Sequence, residues 1–216
     1  GQALGEHGVY WEGASLNTES VRVPLLIRLP DGELGGSVAT WQVRLQDLSA
    51  TLAVVAGATY PDTWQSIDLL DGLAMDGLTQ VLEAEIESLD RTAISELDEE
   101  NSRLQAYRTG VWSYIRGCEP ESSLDQSRAE CVPLENGAEN ALYRTIWDPD
   151  EENDLWGQEG RVQSEMAGAL REEIGAGEAL ETERNRLMDS ISGCAECREM
   201  EAVGQVLDCT NFCGED

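Results

Sequence analysis

Apolar positions along the chain fall into three kinds of pattern. Residues 21–28, VRVPLLIR, form a nearly continuous run of branched side chains after a glycine-containing stretch, and such a run predicts a strand buried on both faces of a sheet. Residues 38–45, VATWQVRL, predict a second short strand after a Pro- and Gly-rich loop over 29–37. Residues 48–56 predict a helix, with Asp47 as its cap and Gly57 as its stop signal. Leu78, Val81, Leu82, Ile86 and Leu89 recur at helical spacing and predict an amphipathic helix over 75–89. The period then changes. Residues 92–97, 104–109, 111–116 and 141–147 read as four short strands, with a turn at Thr109-Gly110 and another at Asp148-Pro149-Asp150. A stripe of Val162, Met166, Leu170 and Ile174 predicts a long helix over 160–188, broken or kinked near Gly175 and Gly177.

Composition narrows the partners. The 216 residues carry 43 acidic against 14 basic side chains, a net charge of −29. Every basic residue is arginine, so no lysine is available to bind an anion or donate a proton. A chain this acidic disfavours nucleic acid and anionic membrane, which need clustered cations. Dense carboxylates at Asp148, Asp150, Glu151, Glu152 and Asp154 lack the glycine-centred pattern of a calcium loop and read as a solvated turn. No apolar run reaches the length of a membrane-spanning helix.

Six cysteines divide into two groups. Cys118 and Cys131 flank a polar insertion between two predicted strands, which a disulfide would close. Cys194, Cys197, Cys209 and Cys213 lie in the last 25 or so residues as two close pairs, a spacing that permits either disulfides or zinc.

Two groups of residues carry a family resemblance. The first is Leu4-Gly5-Glu6-His7-Gly8, followed without a gap by Gly13, Leu16, Glu19, Arg22, Val23, Pro24 and Leu25. The second is Tyr107, Arg108, Thr109, Gly110, Trp112, Tyr114 and Ile115, followed by Leu142, Tyr143, Asp148, Pro149, Glu151 or Glu152, Asn153 and Leu155. In this order they resemble the sulfatases of the alkaline-phosphatase superfamily over about residues 1–180. The resemblance implies an α/β fold: the C-terminal portion of an alkaline-phosphatase-like α/β domain over 1–70, then a small antiparallel sheet packed with a C-terminal helix over 71–190. Residues 191–216 form a cysteine-rich tail. It also implies that this chain is the C-terminal part of a longer protein. Gly1 would be the glycine of an Asp-His-Gly motif, whose metal-binding pair would lie immediately before it. No metal ligand is therefore expected within the chain itself, and calcium would belong to the full-length parent.

His7 and Glu12 are the catalytic candidates that this resemblance brings forward. His7, the one histidine, is either a site-lining group or a hydrogen-bonded loop residue behind the metal ligands. Glu12 stands where the family has His or Lys, and a carboxylate beside a sulfate would repel it unless protonated or metal-bound. Ser113 likewise replaces a family lysine. The family nucleophile arises from a Cys/Ser-x-Pro-x-Arg motif, and none of the six prolines sits in one. The resemblance implies a fragment of a sulfate-ester hydrolase acting on a sulfated small molecule or glycan, exported to the periplasm or outside the cell. That setting favours disulfides over zinc in the tail. The alternatives are a catalytically degenerate sulfatase-like binding protein, or a phosphoester hydrolase or transferase of the same fold.

Overall fold

A computed structural model describes residues 1–10, 15–32, 35–36, 38, 42–60, 64–70, 91–98, 103–119, 131–134 and 139–190, the last eight by their backbone. Two compact units are present: Gly1–Val43 with Leu73–Gly175, and Arg44–Gly72 with Ala176–Asp216.

The first unit is built on a four-stranded antiparallel meander. Its strands are β1 (Ala93–Asp98), β2 (Arg103–Arg108), β3 (Ser113–Cys118) and β4 (Ala141–Tyr143), in that spatial order. The register pairs Tyr107 with Tyr114 and Tyr114 with Leu142. Alternation sends these three to one face, where they meet Met166, Leu170 and Ile174 of the long helix α3 (Gly160–Ser190). The four-residue spacing of that stripe keeps it on one side of the helix. Leu104, Ala106, Ile115, Ala141 and Tyr143 point to the opposite face, where Leu16 covers them. The chain is thus a mixed α/β structure whose antiparallel sheet carries a C-terminal helix on one side and an N-proximal segment on the other.

Several expected boundaries move. The β2–β3 turn is longer than Thr109-Gly110, because the Thr109 hydroxyl accepts bonds from the amides of Val111 (3.2 Å) and Trp112 (3.0 Å). Strand β3 therefore begins at Ser113 rather than at 111. Strand β4 stops at Tyr143, since the amides of Trp147 and Asp148 turn back onto the Arg144 carbonyl at 3.1 Å. The helix α3 continues through Gly175 and Gly177 without the expected break. A glycine costs only about 1 kcal/mol in a helix interior, which the flanking Ala, Leu and Glu residues can offset.

The predicted buried strand over 21–28 is a larger correction. Its first residue closes a single helical turn, α1 (Thr18–Val21), and the remainder belongs to no helix and has no ladder partner among the described residues. Leu26 is 89% exposed, with Val23, Leu25 and Ile27 also exposed. An apolar run specifies a need for cover, and ladder bonds also require a neighbouring backbone. The described part of 38–45 likewise contains no strand, and Val38 and Leu45 are exposed.

In the second unit, α2 (Asp47–Val55) ends as expected, with Gly57 at φ 72° and its amide on the Val54 carbonyl at 2.9 Å. Asp47 does not cap the helix. It is the first helical residue, fully buried, and its carboxylate accepts from the amides of Arg44 (2.8 Å) and Ile67 (3.2 Å). The carboxylate thereby fastens two incoming segments to the start of α2. Thr51 adds a further tie, accepting from the Leu69 amide at 2.9 Å while donating to the Asp47 carbonyl at 2.8 Å.

Cys118 and Cys131 form the expected disulfide, with Cα atoms 5.2 Å apart. The predicted helix over 75–89 and the four tail cysteines, Cys194, Cys197, Cys209 and Cys213, lie outside the described residues. Among the described residues no helix is long and apolar enough to cross a membrane.

Candidate functional site

A buried polar cluster of the first unit gathers residues from four separate stretches. The first is the Leu4–Tyr10 loop. Gly5 adopts φ 127°, and a Cβ there would press on the Tyr10 ring at 3.1 Å, so the turn requires glycine. A short 3₁₀ turn, Glu6–Gly8, follows, and its middle residue His7 sits in the left-handed region at φ 50°. The Glu6 carboxylate accepts from the Leu4 amide at 2.6 Å, and that bond holds it below the usual carboxylate range.

The turn aims the imidazole at two oxygens. Nδ1 lies 3.0 Å from Oε1 of Glu19 on α1, and Nε2 lies 2.7 Å from the Glu151 carbonyl. The ring meets Tyr143 of β4 edge-on, with centroids 6.1 Å apart.

Glu151 is the centre of the cluster. Its backbone is left-handed at φ 56°, and its side chain is fully buried. Arg108, at the end of β2, donates from Nη2 to both carboxylate oxygens at 3.0 and 3.3 Å. The Thr18 amide at 2.9 Å and Asn17 Nδ2 at 3.2 Å complete the shell. The same Arg108 nitrogen donates to the Leu16 carbonyl at 2.6 Å. Burial alone would raise the Glu151 carboxyl. The Arg108 charge and the Thr18 amide outweigh it and keep the group below the usual range, hence ionised.

This places Glu151 in the interior, not in the solvated acidic turn expected of it. Its neighbours in that run are also committed. The Asp148 carboxylate accepts from the amides of Glu152 (3.0 Å) and Asn153 (2.9 Å). Asp154 accepts from Leu142 (3.0 Å) and Trp156 (2.8 Å), tying the turn to β4. Among the described residues no three His, Cys, Asp or Glu side chains converge as a metal site.

Of the two catalytic candidates, the structure describes His7 and brings it against Glu19 and Glu151. Glu12 lies outside the described residues. Reading the sequence as a solvated acidic turn missed Glu151, and it singled out neither Arg108 nor Asn17 as a site group. The available signal was the pairing of two matched stretches, Arg108-Thr109-Gly110 and Asp148-Pro149-Asp150-Glu151, in a chain poor in cations. What the cluster can do chemically is hold shape: each ring nitrogen of His7 and each oxygen of Glu151 already faces a protein partner.

No family model matches the chain, and no curated protein matches it. Among solved structures it is similar to a protein named as a sulfatase from Bacteroides thetaiotaomicron VPI-5482, at 20% identity over 61% of this chain, with a TM-score of 0.43. A 2-O GAG sulfatase gives the same figures, 20% identity, 61% coverage and a TM-score of 0.43. A third, from work on glycosaminoglycan metabolism by Bacteroides thetaiotaomicron, gives 22% over 60% with a TM-score of 0.37. The chain spans 24% of the length of each of these proteins.

Proposed function

We propose that this chain is the C-terminal part of a sulfatase-like hydrolase that cleaves sulfate esters. One observation carries the reading. The stretches that resemble sulfatase motifs are far apart in sequence, yet they meet at one residue, Glu151, through its carboxylate and its backbone carbonyl. His7 of Leu-Gly-Glu-His-Gly, Thr18 of the segment leading to Arg-Val-Pro-Leu and Arg108 of Arg-Thr-Gly touch Glu151 of Asp-Pro-Asp-Glu directly, and Glu19 reaches it through His7. A chance match in two separate stretches gives no reason for them to converge.

In this reading the N-terminal loop is the trailing half of a metal-binding segment, and the Glu151 cluster is the rigid base behind it. Calcium, held by residues preceding Gly1, would polarise the sulfate, and the nucleophile would likewise come from outside this chain. The chain's own contribution is positional: Arg108 and Glu151 fix the 16–19 segment, and His7 fixes the loop. The substrate would be a sulfated small molecule or glycan. Export to an oxidising compartment is supported by the Cys118–Cys131 bond.

A second reading is a sulfatase-like binding protein without chemistry. Ser113 favours it, since a fully buried serine on β3 stands where the family has a cation, and Glu12 points the same way.

The test has two arms. The 216-residue chain with calcium is expected to release no product from an aryl sulfate; turnover well above the buffer blank would sink the fragment reading. The sequence encoded upstream of Gly1 is expected to end in Asp-His and to contain Cys/Ser-x-Pro-x-Arg, and the longer protein is expected to hydrolyse the same aryl sulfate. An unrelated upstream sequence would leave the binding protein as the reading.

A further inference from the structure

We infer that His7 is an imidazolium in the folded protein and acts as a pH-operated clasp, holding the Leu4–Tyr10 loop onto α1 and onto the turn at Glu151. A neutral imidazole has one N–H donor and one acceptor nitrogen. Here both nitrogens face oxygens, Glu19 Oε1 at 3.0 Å and the Glu151 carbonyl at 2.7 Å. A carbonyl can only accept. An ionised carboxylate can only accept. Both contacts are therefore satisfied together only with one proton more than the neutral pair carries. Placing that proton on the Glu19 oxygen instead of Nδ1 leaves the count unchanged.

The charged and titratable surroundings agree. Glu19 faces the ring from α1, and Glu6 adjoins it within the turn. Tyr143 of β4 presents its ring, with a hydroxyl that burial keeps neutral. Glu151 faces the ring through its carbonyl, while its carboxylate is matched by the Arg108 guanidinium. Among the described residues no cation thus confronts His7 without its own anion. Partial burial opposes the charge on the ring, but the Glu151 carbonyl and the Glu19 carboxylate more than offset it, and His7 is held above the ordinary imidazole value.

The clasp closes with a definite sign. A histidine whose folded pKa is raised contributes stability in full below its unfolded value and loses it as pH rises through the folded one. Above that point one of the two contacts has no proton. The loop it restrains carries left-handed backbone at His7, an unfavourable conformation for a side-chain-bearing residue, so it has reason to relax when released.

The chain contains one histidine, so its imidazole ¹⁵N resonances are unambiguous. In the full chain we expect both ring nitrogens to be protonated at pH 6 and the titration midpoint to lie above that of a model histidine. Amide-exchange protection factors of Gly5, Glu6, Gly8 and Val9 should fall across the same midpoint. Glu19→Gln supplies an amide N–H that can donate to a neutral Nδ1, so it should move the midpoint down and remove the step in loop protection. Unchanged β-sheet amide resonances show that the variant folds. A wild-type midpoint at or below the model value, a midpoint unaffected by Glu19→Gln, or flat loop protection through the titration would overturn the proposal. A variant that did not fold would be replaced by His7→Gln, whose loop protection should show no step in the same pH window.

Discussion

At Glu151 a side-chain-bearing residue occupies left-handed backbone and buries an ionised carboxylate, two costs that only its surroundings can offset. The offset comes chiefly from Arg108. Arg108→Ala should therefore destabilise the chain by about 3–5 kcal/mol in urea unfolding, because it strands a buried charge. The double variant Arg108→Met with Glu151→Met should recover much of that loss. If it does not, the ion pair is not what holds this region. The pH dependence has a matching sign. A depressed carboxyl contributes stability above its unfolded value and loses it as pH falls through the folded one, so Glu151 sets an acid limb below the ordinary glutamate range. His7 sets the alkaline limb, and stability should be greatest between them. The acidic composition concealed this arrangement. Five carboxylates lie within 148–154, and nothing in their order says which one turns inward; the turn's hydrogen bonds through Asp148 and Asp154 decide it.

Among the elements, the sheet and α3 were the most readable from sequence, because each has a face that must be covered. Leu104 and Ala106 on β2, and Met166, Leu170 and Ile174 on α3, give periods of two and about four that no turn chemistry imitates. Strand ends were less readable, since they depend on hydrogen bonds such as those to the Thr109 hydroxyl. The helix α3 was misread at its glycines because a break signal is weighed against its flanks, and those flanks are strong helix formers. A Cβ at Gly177 would meet nothing within 4 Å, and the helix passes straight through it. Gly177→Ala should raise stability by roughly 0.5–1 kcal/mol, read as a higher urea midpoint at unchanged slope. A lower midpoint would mean that the backbone there is not helical in solution.

For the molecule as a whole, the net charge of −29 and the exposed 23–27 strip pull in opposite directions. The charge makes each chain repel its copies. The strip, apolar along Val23, Leu25, Leu26 and Ile27, exposes its side chains and has no ladder partner among the described residues, as an unpaired edge does. Arg22, Pro24 and Arg28 interrupt or flank it as gatekeepers. The convergence of distant motifs at Glu151 was only partly legible, because sequence gives the members and not their meeting point.

With that strip exposed, the isolated chain is expected to behave as a colloid held apart by its own carboxylates. Acidification neutralises them and should let the strip adhere from one molecule to the next. Static light scattering should climb as the pH is lowered into the carboxylate range, and Leu26→Glu should delay the rise to lower pH. Scattering unaffected by that change would assign the stickiness elsewhere. In a preparation of this chain by itself, then, the choice of buffer governs whether monomers or clumps are being observed.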